Sequence, residues 1–209
     1  MFVTIAGSVA AEAIVKKSRF LALIERAESE DAARRVVASA RSAHPGAGHH
    51  CSAFLIGDIA GARIERSSDD GEPTGTAGHP MLEVLAGRDL TNVVAVVSRY
   101  FGGTKLGTGG LARAYSGAVA QALTDARLVR RERRELVRVE LSHADVGRIE
   151  SELRTRGVGV EVVSIEYLAR AAVTFSTVNP DLLEGLLASS TAGEARPERL
   201  GSQYVDVAL

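Results

Sequence analysis

The amino-acid sequence predicts an α+β chain built as two units, the second with a ferredoxin-like βαββαβ order. Three observations carry the prediction. Val93, Val94, Val96 and Val97 form a β-branched run too continuous for a half-exposed strand, and Leu111, Tyr115, Ala118, Ala122 and Ala126 then recur at helical spacing. The pattern breaks over Leu128 to Glu135, where Arg130-Arg-Glu-Arg-Arg134 reads as a solvated connector. Beyond it, strand, helix, strand, strand, helix and strand follow in turn. The expected units are residues 1–130 and 131–209.

Taken in order, Ser8 to Val15 and Arg19 to Arg26 read as strands joined by the basic turn Lys16-Lys17-Ser18. Ser29 is placed to cap a helix whose first turn holds Glu30 and Asp31 and whose stripe is Ala33, Val36, Val37 and Ala40. His44-Pro45-Gly46 stops it. His49 to Gly57 and Ala62 to Arg66 read as strands around a turn at Asp58 to Gly61. The polar loop Ser67 to Gly78 leads into a short helix, Ala77 to Ala86. Thr91 to Tyr100 is the central strand, and a glycine-rich turn from Gly102 to Gly110 joins it to the next helix. In the second unit the strands are Leu136 to Leu141, Val158 to Tyr167, Ala169 to Ser176 and Ser202 to Ala208. Ser142 with Asp145, and Asn179 before Pro180, start its helices at Ser142 to Arg156 and Pro180 to Ser189.

Composition excludes several function classes. With 45% hydrophobic and 24% charged residues the chain can bury a core, and no apolar run approaches the roughly 18 residues of a membrane span. The opening lacks the basic start of a signal peptide and carries Glu12, so a cytoplasmic protein is expected. A single cysteine, Cys51, excludes an intrachain disulfide and a cysteine zinc cluster. Residues 1–130 hold 15 basic against 13 acidic residues, a net of +2, and residues 131–209 hold 10 against 13, a net of −3. Neither unit has the broad positive face of a protein that coats polyanions.

Nine of the 21 glycines lie between Gly71 and Gly110. The stretch from Arg99 to Arg113, with Gly102, Gly103, Gly107, Gly109 and Gly110, joins a buried strand to a helix. Backbone amides there are placed to hold an anion, with Arg99, Lys105 and Arg113 supplying positive charge. It is neither a Walker motif nor a dinucleotide fingerprint. The competing reading is architectural: the glycines make tight turns, while Arg99 and Arg113 pair with the acids before them. Asp69, Asp70 and Glu72 bring three oxygen donors into one loop, enough in number for Mg²⁺ or Ca²⁺. Acidic loop residues more often cap turns or pair with arginine, and no metal or other cofactor is assigned. In His49-His50-Cys51, strand alternation sets His49 and Cys51 on one face and His50 on the other. The expectation is a buried thiol and one exposed histidine rather than a nucleophile pair. Lys16, Lys17 and Arg19 beside Phe20 are candidate phosphate contacts at a hairpin tip.

These residues form an ordered set of motifs: Lys17-Ser-Arg-Phe20; Ala47-Gly-His-His-Cys51 with Ala53-Phe54; Ser68-Asp-Asp-Gly-Glu-Pro73 with Gly75-Thr-Ala-Gly78 and Pro80; and Arg99-Tyr-Phe-Gly-Gly103 with Leu106-Gly107, Gly109-Gly-Leu111 and Arg113-Ala-Tyr115. In them the chain closely resembles the IMPACT/YigZ family over roughly residues 16–126. The resemblance implies a ribosomal protein S5 domain 2-like fold for the N-terminal unit, a ferredoxin-like domain after it, and a link to translation. The leading expectation is therefore a non-enzymatic protein that docks on RNA or a ribosome-associated partner through the loops Asp69 to Gly78 and Arg99 to Arg113. The alternatives are a phosphate-handling or metal-assisted enzyme using the same two loops, and a protein–protein adaptor whose glycine loops are purely architectural. The oligomeric state is left open.

Overall fold

The computed structural model describes residues 1–57 and 63–209. The chain divides into two compact units, Met1–Arg130 with Asp206–Leu209, and Arg131–Val205. The first contains β1 (Phe2–Ile5), β2 (Val9–Val15), β3 (Ser18–Arg26), α1 (Glu30–Ala43), β4 (His49–Ile56), β5 (Ile64–Ser68), α2 (Gly78–Ala86), β6 (Val93–Tyr100) and α3 (Thr108–Ala122). The turn expected at Asp58 to Gly61, with Ala62, lies outside the described residues. Strand β1 is absent from the sequence reading, because four apolar-leaning residues show neither alternation nor a flanking turn signal.

Five strands of the first unit form an antiparallel sheet in the order β2-β3-β6-β4-β5. The valine-rich strand β6 is central and buried along almost its whole length, since both faces of the sheet are covered. Val93, Ala95 and Val97 point to one face, with Phe20, Ala22 and Ile24 of β3 and Cys51, Ala53 and Leu55 of β4. There they meet Met81 and Leu85 of α2 and Leu111, Tyr115 and Ala118 of α3. Val94 and Val96 point to the other face, with Phe54 and Ile56, against Ala33 and Ala40 of α1. The Ser29 hydroxyl accepts from Ala32 N–H at 3.1 Å, as the capping signal requires.

The second unit runs through most of β7 (Leu128–Leu141), then α4 (His143–Thr155), β8 (Val160–Tyr167), β9 (Ala171–Thr177), α5 (Pro180–Ser190) and most of β10 (Glu198–Ala208). In its sheet β10 pairs with β7, β7 with β9, and β9 with β8. Val146, Ile149 and Leu153 of α4 and Leu183 and Leu187 of α5 pack on Val137, Val139, Leu141, Val173 and Phe175. The connector expected over Leu128 to Glu135 is corrected: the run is part of strand β7. Its charges are held by neighbours rather than by water alone. Arg134, itself buried, lies 2.9 Å from Glu161 and 3.6 Å from Glu132, and Arg133 Nε donates to Ser202 Oγ at 2.7 Å. Composition registers such a run as solvated; only strand pairing reveals where each charge goes. β10 likewise begins at Glu198, four residues before the expected Ser202.

Candidate anion and aromatic site on the first unit

Strand register builds the site. Arg99 of β6 stands opposite Phe20 of β3 on one side and His49 of β4 on the other, in phase with Val93, Ala95 and Val97. An arginine there is carried inward by the same alternation that buries the valines, and it is only 6% exposed. Its Nη1 donates to Glu72 Oε1 at 2.6 Å, and Tyr115 of α3 donates its hydroxyl to the same oxygen at 2.7 Å. The guanidinium carbon lies 5.5 Å from the Phe20 ring centre and 5.6 Å from that of Phe101. Phe20 in turn meets Tyr115 edge to face at 5.1 Å. A buried charge is tolerated only when paired and hydrogen-bonded, and this pair meets the condition on its Oε1 side.

The acidic loop divides its labour. Asp69 Oδ1 accepts from Ala77 and Gly78 N–H, each at 2.9 Å, and its Oδ2 from Gly75 N–H at 2.8 Å. It thereby holds the start of α2, whose own N-cap residue, Ala77, has no side-chain acceptor. Asp70 accepts from Arg41 Nη2 at 2.8 Å and from His50 N–H at 2.6 Å. Burial, which alone would raise both carboxyls, is outweighed: amide donors in Asp69, and Arg41 with the His50 amide in Asp70, hold them below the ordinary value. Glu72 alone of the three faces the glycine loop. Among the described residues no group of three or more His, Cys, Asp or Glu is arranged to hold a metal ion.

The glycine loop lies beside this pair. Gly102 N–H donates to Ser18 Oγ at 3.1 Å, and a Cβ on Gly102 would stand 2.0 Å from the Lys17 carbonyl carbon. Only glycine lets the loop approach the basic β2–β3 turn so closely. Gly107 caps α3 with φ +69° and has no side chain to satisfy the first amides of the helix, so Thr108, Gly109 and Gly110 present the positive helix end. Lys105 and Arg113 are exposed beside it, and Arg113 has no acidic partner among the described residues. The surface therefore gathers Lys16, Lys17 and Lys105, the only lysines in the sequence. Phe101 is 61% exposed next to them. A cavity of about 440 Å³ opens there, lined by Glu72, Pro73, Arg99, Phe101, Lys105, Leu106, Gly107, Thr108 and Leu111. Gly102→Ala is expected to force this loop off the turn and lower stability by about 1–3 kcal/mol, read in urea unfolding. Wild-type stability in that variant would mean the close approach carries no constraint.

The reading of His49, His50 and Cys51 is corrected in one part. Cys51 is buried and donates to Asp69 O at 3.0 Å, and burial pushes its thiol up to about 12, which leaves no thiolate near neutrality. His50 is buried as well, not exposed, with Nδ1 2.9 Å from Ser98 Oγ. The opposite face of β4 is covered by α1, which local alternation does not disclose. His49, on the Cys51 face, is half-buried, with Nδ1 2.8 Å from Asp70 O and Nε2 4.0 Å from Glu72 Oε1. The sequence marks Tyr115 as an apolar helix position and as part of the motif Arg113-Ala-Tyr115, and neither discloses what its hydroxyl meets. Its hydroxyl, whose ionisation burial opposes, is the second donor to Glu72.

Residues 16–123 match the family model of the Impact N-terminal domain. The chain is 43% identical over 143 residues to the IMPACT family member YvyE of Bacillus subtilis, a match covering 68% of this chain and 65% of that protein. It is 49% identical over 109 residues to the IMPACT family member YigZ of Escherichia coli, covering 52% of this chain and 53% of that one. These matches span less than two thirds of either relative. A solved structure described as an hypothetical protein is similar over 94% of this chain and 95% of its own, with 33% identity and a TM-score of 0.65. Among the described residues no helix is long and apolar enough to cross a membrane.

Proposed function

This chain belongs to the IMPACT family, and on that premise we propose that it is a non-catalytic RNA-binding protein working alongside translation in the cytoplasm. The finer fold reading that accompanies it is ribosomal protein S5 domain 2-like for the first unit and ferredoxin-like for the second. The strand order β10-β7-β9-β8 supports the latter. The observation that carries the function is the surface around Gly102 to Gly110. All three lysines, Arg113, the amide end of α3 and an exposed aromatic ring meet there on a protein of net charge −1. Positive charge follows a phosphate backbone and an open ring stacks on bases; together they form the usual equipment for single strands.

Two further observations favour this surface. On the face of the second sheet away from α4 and α5, Arg138 pairs with Glu166 at 3.1 Å and Arg134 with Glu161 at 2.9 Å across β9, which reduces the positive charge free there. The enzyme reading needs three carboxylates for a cation, whereas Asp69 and Asp70 already hold the start of α2, Arg41 and the His50 amide. Fluorescence anisotropy with a labelled single-stranded RNA tests the proposal. Affinity should fall with salt, Lys105→Ala and Lys17→Ala should flatten the salt slope, and Phe101→Ala should weaken binding about tenfold. Arg138→Ala should leave it unchanged. Binding indifferent to salt and to the first three variants would overturn the proposal.

A further inference from the structure

Glu72 is 8% exposed, yet only one of its oxygens is spent: Arg99 and Tyr115 both donate to Oε1, and no described residue donates to Oε2. This carboxylate lines the 440 Å³ cavity, a size within the range that small ligands occupy. An acceptor oxygen that no described side chain meets, on a carboxylate lining an open cavity, is free to take a ligand edge that supplies a donor. The walls are flat and apolar: the exposed Phe101 ring with Pro73, Leu106 and Leu111. The amide end of α3, at Thr108, also lines it. An aromatic ring, a bare carboxylate oxygen and an anion-binding helix end in one cavity match the three parts of a nucleotide: base face, base edge and phosphate.

Resting on the RNA-binding reading above and deepening it, we propose that this cavity takes an unstacked guanine. Phe101 stacks on the ring, Glu72 Oε2 accepts from the N1–H and N2–H donors of the base, and the phosphate lies at the start of α3. The choice among bases follows from donor order. Guanine presents two adjacent N–H groups on its pairing edge. Uracil flanks its single N–H with carbonyl oxygens, which a carboxylate repels. Adenine and cytosine set an acceptor nitrogen beside their amino groups.

The test uses four labelled eleven-nucleotide RNAs, uridine throughout except for a central guanine, inosine, adenine or cytosine, together with guanosine and inosine monophosphates. Guanine should bind about tenfold tighter than adenine or cytosine, and inosine, which lacks the 2-amino group, should lose much of that preference. Glu72→Gln should erase the preference while binding to the uridine backbone remains. Should that variant fail to fold, the inosine comparison reads the same contact on the unaltered protein. Equal binding of all four RNAs would overturn the guanine pocket and leave RNA binding standing. Guanosine monophosphate bound with the same preference over inosine monophosphate, while no RNA binds, would keep the pocket and remove the RNA. Absence of binding to every probe at low salt would overturn both.

Discussion

Arg99→Ala is expected to destabilise the first unit by about 3–5 kcal/mol, because it strands a buried carboxylate. Arg99 and Glu72 are 6% and 8% exposed, and among the described residues the 2.6 Å contact with Arg99 is the closest ionic contact Glu72 makes, His49 Nε2 lying farther off at 4.0 Å. Tyr115 would remain as a donor, but a neutral hydroxyl does not replace a guanidinium. The loss also removes the layer between Phe20 and Phe101 and leaves a void in the α3 face of the sheet. Urea unfolding followed by circular dichroism gives the magnitude, and hydrogen exchange along β6 assigns it to this unit. The double variant Arg99→Met with Glu72→Gln removes both charges, keeps an oxygen for Tyr115 and refills the layer, so it should recover much of the stability. A single variant as stable as wild type, or a double variant no better than the single, would show that the pair does not hold this end of the sheet. For the same reason Arg99 is a poor probe of RNA binding: its variant would report unfolding.

What the sequence discloses depends on whether one element or two decide a residue's surroundings. The central place of β6 follows from its valines alone, and the inward direction of Arg99 follows from parity with Val93, Ala95 and Val97. The helix starts at Ser29, Ser142 and Asn179 are likewise local, and each cap accepts the expected amide. By contrast, His50 is buried on the sheet face whose Phe54 and Val96 pack against α1, where it meets Ser98 of β6, and Arg134 is buried beside Glu161 of another strand. Such facts belong to pairs of elements distant in sequence. The meeting of Glu72 with Arg99 and Tyr115 is of this kind, spanning 27 and 43 residues. The ordered motifs draw attention to all three positions, but nothing local says which acid of the loop turns toward the arginine. Asp69 and Asp70 carry the same charge as Glu72 and go elsewhere because backbone amides lie within reach of their shorter side chains.

The role of Asp69 predicts a measurable dependence of stability on acid. Its carboxylate satisfies three amides, Gly75, Ala77 and Gly78, two of them at the entry to a helix whose cap residue offers nothing. Asp69→Ala should lower stability by about 2–4 kcal/mol, since three donors lose an acceptor and water reaches the loop only in part. Asp69→Asn should lose less: its oxygen can still face Ala77 and Gly78, but its amide group opposes the Gly75 N–H. The sign of the pH effect follows from the carboxyl lying below its ordinary 3.8 in the folded chain. Above that value the group is ionised both folded and unfolded, and its contribution is complete. As pH falls through the folded value, the folded state must take up a proton and the contribution disappears. Urea midpoints measured across pH 2 to 5 should therefore fall steeply in the natural protein and less steeply in Asp69→Asn. Part of the slope should persist through Asp70, whose carboxyl is lowered in the same direction by Arg41 and the His50 amide. Identical slopes in the two proteins would place the acid sensitivity elsewhere and show that Asp69 holds the α2 entry without titrating in this range.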